Sequence, residues 1–190
     1  MTQTEKPVKP ALTDSELVIL ARSGDNSAFG QLIRRHQGAI FRFLSHQVRD
    51  QVEANDIAQE TFVALFRSLD RYDTGRPFLA WAFVIARNKA RDHHRRRAAL
   101  RWVGIDDHLD QTASQLPDPE HETAERQELT QVGVLIQALP ESLRTPLLLS
   151  AMEGLSHEEI GAAIGVSTKA VELRIYRARK ALRTQLTQER

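Results

Sequence analysis

The sequence of 190 residues predicts an all-α protein made of two small helical domains joined by an acidic, flexible linker. Three observations lead to this prediction. Apolar residues recur with a period near 3.6 along almost every patterned segment, and no alternating strand pattern competes. Serine, threonine or aspartate stands before several of these segments, as helix N-caps do. A stretch rich in aspartate and proline, at about residues 103–123, interrupts the pattern.

Two well-capped helices are predicted first. Thr13 and Glu16 form a candidate capping box for the first helix, and Gly24 supplies its stop. Asp25 or Asn26 can cap the second helix. The apolar stripe of the second helix consists of Phe29, Leu32, Ile33, His36, Ile40, Phe41, Leu44 and Val48.

The third helix is predicted over about residues 55–69. Its buried face is expected to consist of Ala58, Phe62, Leu65, Phe66 and Leu69. A turn at 73–75 follows, and Pro77 suits the first turn of a fourth helix. Before the fourth helix becomes basic, one of its faces consists of Phe78, Trp81, Ala82, Ile85 and Ala86.

Helical periodicity resumes after the linker. Its apolar positions are Leu129, Val132, Leu135, Ile136 and Leu139. Pro140 is expected to end this helix, and Pro146 to open the next one over residues 147–153, with Gly154 as its stop. The expected divisions of the chain are a disordered tail (1–12), a first domain (13–100), the linker (101–124) and a second domain (125–190).

A helix-turn-helix pattern follows. Ser156 and Glu159 form a second capping box, Gly165 permits the positive φ of a tight turn, and Ser167 can cap a longer helix. Small residues at Gly161 and Ala162 allow close helix approach. The residues expected to pack between the two helices are Ile160, Ile164, Val166, Val171 and Ile175. The second helix of this motif enters the major groove of DNA; the alternative is a plain helical hairpin.

The outer face of the longer helix favours DNA binding over the plain hairpin. Its phosphate-directed cations are Lys169, Arg174, Arg177, Arg179, Lys180 and Arg183. Base edges would be read by Glu172, Leu173, Tyr176 and Arg177. Arginine paired with guanine, or glutamate with cytosine, supplies about 1–3 kcal/mol of discrimination.

The formal net charge of +1 hides a segregated distribution. Residues 1–104 carry +6, residues 105–128 carry −7 and residues 129–190 carry +2. Two basic poles lie within this pattern, at residues 87–101 and 169–190. Such asymmetry favours a nucleic-acid partner, although an isolated basic run can also be a solvated helix face.

Several classes of protein are excluded or disfavoured. The chain has no cysteine, which excludes disulfides, cysteine-ligated zinc, iron–sulfur clusters and thiol nucleophiles. No apolar run approaches the roughly 18 residues of a membrane helix, and residues 1–10 lack the apolar core of a secretory signal. We therefore expect a cytoplasmic protein without membrane insertion, metal or cofactor.

Two further features stand out in the first domain. Asp56, Gln59, Glu60 and Val63 share one face of the third helix, which suits a protein partner or is simply solvated. Aromatic residues also stand beside the basic end of the fourth helix, as in proteins that stack and hold unpaired bases. These aromatics are Tyr72, Phe78, Trp81 and Phe83, and the last three are equally suited to a core.

These motifs together resemble a known family. In order, they are DIAQETF, FLAWAFVIARNKARDHHRRR, ALPESLRTPLLL, EGLSHEEIGAAIGVS and VELRIYRARKALR. The chain is similar in this order and spacing to the extracytoplasmic-function sigma factors of bacterial RNA polymerase. The similarity covers about residues 15–97 and 129–186.

The resemblance implies that the first domain is sigma region 2 and the second is region 4, and that the partners are core RNA polymerase and promoter DNA. Polymerase binding is assigned to Asp56, Gln59, Glu60 and Val63. Contact with the −10 element is assigned to Tyr72, Phe78, Trp81, Asn88, Lys89, Arg91 and Arg95. Contact with the −35 element is assigned to Ser167, Lys169, Glu172, Leu173, Arg174, Tyr176 and Arg177. The acidic linker would thread toward channels of the polymerase.

The resemblance implies promoter opening by differential binding, without catalysis. Members are often held inactive by an anti-sigma factor, which the sequence neither shows nor excludes. Asn55 stands where the family usually has an acid, and Glu172 and Leu173 stand where small or basic residues are common, so the usual −35 sequence does not carry over.

One alternative is a dimeric helix-turn-helix regulator that acts without polymerase. Another is a metal-dependent nuclease using Asp92, His93 and His94, although adjacent helical histidines point about 100° apart.

Overall fold

The computed structural model describes residues 12–48, 50–102 and 124–188, in which helices account for nearly all regular structure and no strand occurs. The helices are α1 (Asp14–Arg22), α2 (Asn26–Ser45), α3 (Gln51–Arg67), a 3-10 helix (Leu69–Arg71), α4 (Phe78–Trp102), α5 (Ala124–Ala138), α6 (Glu141–Glu153), α7 (His157–Ile164) and α8 (Thr168–Gln188). The all-α prediction is confirmed. Most of the predicted tail and linker lies outside the described residues.

The predicted caps of α1 and α2 are confirmed. Thr13 Oγ1 accepts from the Glu16 amide at 3.3 Å, and the Glu16 carboxylate accepts from the Thr13 amide at 2.7 Å. These hydrogen bonds lower the pKa of Glu16. Gly24 has a φ of 99°, and the Asp25 carboxylate accepts from the Ser27 amide at 2.9 Å. Each cap satisfies amides that a helix start leaves without partners.

Helix α3 begins earlier than the sequence predicts. It starts at Gln51 rather than near residue 55, because Asp50 accepts from the Val52 amide at 2.7 Å and acts as N-cap. The expected burial of Phe66 is also wrong. Phe66 is 49% exposed, although one side of its ring packs on Phe29 with centroids 5.0 Å apart.

The first domain is built around α2, which packs against α1, α3 and α4. Phe43 of α2 and Phe83 of α4 are both buried, with ring centroids 5.0 Å apart. Burying one such side chain contributes about 1.5–3 kcal/mol. This packing fixes the relative positions of α3 and α4, whose other faces remain exposed.

Helix α6 begins at Glu141, six residues before the predicted start, and contains Pro146 in its interior. The Pro140 carbonyl accepts from the Leu143 and Arg144 amides, both at 2.9 Å, so Pro140 rather than Pro146 opens the helix. Pro146 is the sixth residue of α6 and has no amide to donate to the Ser142 carbonyl, so one intrahelical hydrogen bond is lost there. Gly154, with a φ of 64°, ends α6 as predicted.

The helix-turn-helix of α7 and α8 is confirmed in its caps and turn. Ser156 and Glu159 form the second capping box, and Gly165 has a φ of 73°. A Cβ on Gly161 would lie 2.8 Å from the Val166 carbonyl oxygen, so the two segments approach as closely as predicted. The same expectation for Ala162 is wrong: Ala162 is exposed, and Ala163 is the small residue that faces the core.

The two domains contact each other, α4 packing on α7 and α2 on α6. Gln47 lies at the centre of a buried polar cluster between them. Its amide nitrogen donates to Thr145 Oγ1 at 3.2 Å, and its side-chain oxygen accepts from Arg144 Nε at 3.2 Å. Gln137 donates to the Ser45 carbonyl at 3.1 Å. Among the described helices, none has the length and hydropathy of a membrane span.

Candidate nucleic-acid and protein interfaces

The outer face of α3 has the exposure that the sequence predicts. Asp56, Gln59, Glu60 and Val63 are all exposed, while Ile57 and other residues of the opposite face are buried. The face borders a groove of about 840 Å³ between α3 and α4. The further residues that line this groove are Ala64, Arg67, Ser68, Arg71, Ile85 and Lys89. Charges of both signs around aliphatic residues suit a protein partner.

Basic side chains of α4 extend back onto acids of α3. Lys89 Nζ lies 3.1 Å from Glu60 Oε2, and Arg96 lies 3.7 Å from the same oxygen. Arg97 pairs with Glu53 at 2.7 Å. Glu60 is about half exposed, and surface pairs of this kind contribute only about 0–1 kcal/mol. A partner can therefore exchange the Glu60 contacts without disrupting the domain.

The aromatic residues assigned to the −10 element form a buried cluster instead. Tyr72 is 4% exposed and Phe78 is 1% exposed. The Tyr72 and Trp81 ring centroids lie 4.9 Å apart, and those of Phe78 and Trp81 lie 5.7 Å apart. Neither ring is accessible to a base in this conformation, so the assignment of Tyr72 and Phe78 to the −10 element stays a prediction. Phe83 is core as well, and Trp81 alone of the four retains intermediate exposure.

The loop above this cluster has a defined turn. Asp73 Oδ1 accepts from the Gly75 amide at 2.9 Å, and the Arg76 amide donates to the Asp73 carbonyl at 3.1 Å. The Tyr72 hydroxyl donates to the Arg76 carbonyl from below, and burial raises the pKa of that hydroxyl. The exposed parts of the loop are Asp73, Gly75, Arg76 and Pro77.

Three residues assigned to the −10 strand lie along one side of α4. Asn88, Arg91 and Arg95 are exposed and border a cavity of about 670 Å³. Glu141 of α6 also lines this cavity, and its Oε2 lies 3.1 Å from Arg91 Nε. Arg95 is paired with Asp92, whose pKa it lowers through their hydrogen bond. The cationic side of α4 is thus assembled but partly covered by the second domain.

The histidines of α4 lie beside atoms of the protein itself. His94 Nε2 lies 2.9 Å from the Gln47 carbonyl oxygen, and His93 Nε2 lies 3.3 Å from Glu53 Oε2. Within residues 12–48, 50–102 and 124–188, no three acidic or histidine side chains are grouped as metal ligands. The nuclease alternative therefore has no supporting geometry in this part of the chain.

Helix α8 separates a core face from a polar face. Val171, Ile175 and Ala178 are at most 3% exposed and pack toward α6 and α7. The Ser167 hydroxyl accepts from the Ala170 amide at 3.3 Å, as its predicted capping role requires. On the opposite side, the exposed residues predicted to meet DNA are Lys169, Glu172, Leu173, Tyr176 and Arg177, and Arg174 is half-buried. Lys169 lies 3.4 Å from Glu172.

Comparison with known proteins identifies the family. The family model for Sigma-70 region 2 matches residues 32–100 of this chain. The family model for Sigma-70 region 4 matches residues 129–182. The chain is 36% identical over 181 residues to the RNA polymerase sigma factor CnrH of Cupriavidus metallidurans, covering 92% of this chain and 95% of that one. The chain is an extracytoplasmic-function sigma factor. It is also 31% identical to SigE of Mycolicibacterium smegmatis, a protein described by that family name, over 94% of this chain and 70% of SigE.

Solved structures agree with this assignment. The structure of CnrH in complex with the cytosolic domain of CnrY matches with a TM-score of 0.72 and 34% identity, over 93% of this chain and 99% of that chain. The sigma factor RpoE from Bartonella quintana, solved with the anti-sigma factor NepR, shares the fold with a TM-score of 0.67 and 23% identity. The predicted family and function are confirmed: the protein is a transcription initiation factor rather than an enzyme.

Sequence reasoning missed the residues that join the two domains of this sigma factor. Gln47 and Thr145 are buried at their contact, and Arg144 donates to both Gln47 and the Gln137 carbonyl. Each of these residues is an ordinary polar residue near a helix end when read in sequence. No local pattern identifies them, because their role depends on a partner about 100 residues away.

Proposed function

We propose that this sigma factor divides its contacts among three surfaces. The α3 face binds core RNA polymerase, the basic side of α4 with the 72–78 loop holds the opened −10 strand, and α8 reads the −35 duplex. The observation that supports DNA reading most directly is α8, whose core face is fully buried while its predicted reading face is exposed. That division is the one a recognition helix needs in the major groove.

Promoter opening then depends on differential binding. The protein opens DNA if it holds unpaired bases and phosphates of the −10 strand better than the duplex. Exposed Asn88 and the cations Lys89, Arg91 and Arg95 supply polar contacts along one helix. Unstacking a base costs a few kcal/mol, which a fitted site can offset. Tyr72 and Phe78 support this site from the core, and Trp81 is the aromatic residue with an accessible edge.

Polymerase docking is tested by Glu60→Lys. Reversing the charge at the centre of the α3 face should weaken binding to core polymerase by about tenfold or more, because it places a third cation beside Lys89 and Arg96 and removes the acid that a partner would bind. Asp70→Lys is a matched control, since Asp70 is an exposed acid of the same domain outside the groove lining. Equal core affinities for the two variants would contradict the docking assignment.

The −10 assignment is tested by replacing Asn88 and Trp81 with alanine together. We expect open-complex formation, followed by permanganate footprinting with core enzyme, to fall while core affinity stays near wild type. A footprint identical to that of the wild-type protein would contradict the assignment.

The −35 assignment is tested by Arg177→Ala. The loss of one base-directed arginine should reduce affinity for the cognate −35 duplex by about 1–3 kcal/mol and relax specificity at one position. Thr184→Ala is the control on the same helix, because Thr184 is exposed but bonds only to the Lys180 carbonyl. An unchanged base preference in Arg177→Ala would contradict the assignment of α8 as the helix that reads the −35 element.

The likeness to CnrH bound to CnrY supports a further partner. Since 93% of this chain aligns with a sigma factor solved with the cytosolic domain of CnrY, we include an anti-sigma factor among the partners of this protein. Its place of action is the cytoplasm, where core polymerase and the chromosome are found. Co-purification of the tagged protein with and without core polymerase tests the partner, and fractionation of cells tests the place of action.

A further inference from the structure

Helix α1 contacts the loop that precedes α4 at the start and in the middle of the loop. Arg22 donates to the Leu69 carbonyl from Nε at 3.1 Å and from a terminal nitrogen at 2.8 Å, and it also donates to the Tyr72 carbonyl. Ser15 Oγ donates to the Thr74 carbonyl at 3.0 Å. Arg22 and Ser15 are seven residues apart, so they lie on the same side of α1 two turns apart.

The Arg22 contacts suit a guanidinium specifically. Its planar group carries five donors in a fixed fork, so it can meet several carbonyl oxygens at once. Here those oxygens belong to the 3-10 helix and the start of the loop. The Leu69 carbonyl also accepts from the Tyr72 amide at 3.1 Å, so the guanidinium joins an existing turn hydrogen bond. A lysine ammonium at this position would keep the charge but lose the fork.

Helix α1 also reaches the aromatic cluster below the loop, through His36 of α2. Asp14 Oδ2 lies 2.8 Å from His36 Nε2, and the His36 ring packs on Phe78 with centroids 5.3 Å apart. Phe78 belongs to the buried aromatic cluster with Tyr72. Helix α1 therefore fixes the loop through its backbone carbonyls above and through the aromatic cluster below.

From these contacts we propose that Arg22 and Ser15 are positioning residues for the −10 strand. They hold the exposed segment Asp73–Gly75–Arg76 in one conformation, so that it receives a single unpaired base with defined geometry. Neither residue touches DNA: both donate to loop carbonyls from the side of α1. The inference rests on the proposed role of this loop in capturing the −10 strand.

The proposal distinguishes positioning from stability. A loop that is held loosely still binds a strand through phosphate contacts from α4, but it discriminates poorly between bases at the captured position. Small misplacements in a recognition site reduce function strongly, because the site must be held to about 0.5 Å. The decisive measurement is therefore base discrimination, which a uniform loss of stability does not change.

The experiment compares Ser15→Ala, Ser15→Thr and Arg22→Lys with the wild-type protein in complex with core polymerase. Opening rates are measured on a cognate promoter and on a set of promoters with single substitutions across the −10 element. We expect Ser15→Ala and Arg22→Lys to reduce discrimination at one position by about fivefold to tenfold. Ser15→Thr keeps the hydroxyl and should restore discrimination, and core affinity should stay within about twofold for all three.

Arg34→Lys is the matched control for Arg22→Lys, because Arg34 is an exposed arginine of α2 away from the loop. Thermal melting identifies any variant that fails to fold. If Arg22→Lys fails to fold, Ser15→Ala still tests the proposal. Wild-type discrimination in both Ser15→Ala and Arg22→Lys would overturn the proposal. A loop variant, Arg76→Ala, separates the two possible failures, because Arg76 is an exposed residue of the loop itself. If Arg76→Ala also keeps wild-type discrimination, the proposed role of the loop fails. If Arg76→Ala loses discrimination while Ser15→Ala and Arg22→Lys keep it, only the positioning proposal is overturned.

Discussion

The outer face of α3 and the basic side of α4 belong to the same domain but differ in accessibility. The groove beside α3 is lined only by residues 56–89 of the first domain. The cavity beside α4 is also lined by Glu141 of the second domain, which pairs with Arg91. On the proposed assignments, the free protein presents its polymerase-docking face openly, while Glu141 of α6 partly covers the −10 side of α4.

On the proposed assignments, this difference implies an order of binding. Polymerase would bind α3 without disturbing the domain contact, because none of its predicted docking residues lies at the second domain. Separation of the domains would then uncover the rest of the −10 side of α4 for the opened strand. One change inside the second domain and three changes at the contact test this view, from the largest expected effect to the smallest.

Gly161→Ala should have the largest effect, because it acts on the helix that covers α4. The new Cβ would lie 2.8 Å from the Val166 carbonyl oxygen, and such overpacking costs about 1–3 kcal/mol. We expect weaker −35 duplex binding and a lower melting temperature of the second domain, with core affinity through α3 unchanged. Gly133→Ala is the control, since nothing lies within 4 Å of its added Cβ. Equal melting of the two variants would contradict the close approach.

Gln47→Ala should loosen the contact without changing either domain alone. It removes the buried partner of Thr145 and leaves Arg144 with one fewer acceptor, at a cost of about 1–3 kcal/mol. The chain has no cysteine, so a dye pair can be placed at two introduced cysteines, one at Gln37 and one at Thr184. Energy transfer should fall in Gln47→Ala and stay constant in Gln31→Ala. An unchanged transfer efficiency would show that Gln47 does not hold the domains.

Lower pH should loosen the same contact through His46. Burial lowers the pKa of His46, and the positive Arg144 lowers it further. The neutral imidazole is thus favoured in the packed state. The contribution of His46 to the domain contact is therefore fully present above its ordinary pKa of about 6.5, and it is lost as the pH falls toward the lowered pKa of the packed state. Energy transfer between the two dyes should therefore decrease from about pH 7.5 to about pH 5.5. The same titration in His46→Gln should be flatter, and an identical curve would exclude His46 as the cause.

Glu141→Ala should have the smallest effect, because it removes a pair that lies near the surface. Such a pair contributes about 0.2–1 kcal/mol, or less than about a fivefold change. We expect affinity for a single-stranded −10 oligonucleotide to rise by this amount at low salt and the difference to shrink at high salt. Glu158→Ala, which removes an exposed acid of α7, is the control. A similar gain from both variants would indicate a net-charge effect rather than release of Arg91.

The sequence predicted local features well where a few neighbouring residues determine them. The two capping boxes, at Thr13 and Ser156, and the left-handed Gly165 follow from contacts within a few residues. The start of α6 was missed because Pro140 and Pro146 are both plausible first-turn residues, and only the Pro140 carbonyl bonds decide between them.

The sequence predicts which residues belong to the candidate site, but not which of them are exposed or which contacts hold them in place. The α3 face was recognisable because its polar residues recur at a helical period. Tyr72 and Phe78 were assigned to DNA because aromatics beside cations are typical of strand-binding sites, yet tertiary packing buries both. The Arg22 contacts with loop carbonyls lie 47 or more residues apart in sequence, and backbone acceptors leave no pattern that a sequence can show.

Helix α4 has 25 residues and spans about 37 Å at the usual rise of an α-helix. Its first turns belong to the aromatic core beneath the loop, and its last residue, Trp102, is 93% exposed. One continuous helix therefore carries both the aromatic support of the loop and an exposed indole about 37 Å away from it.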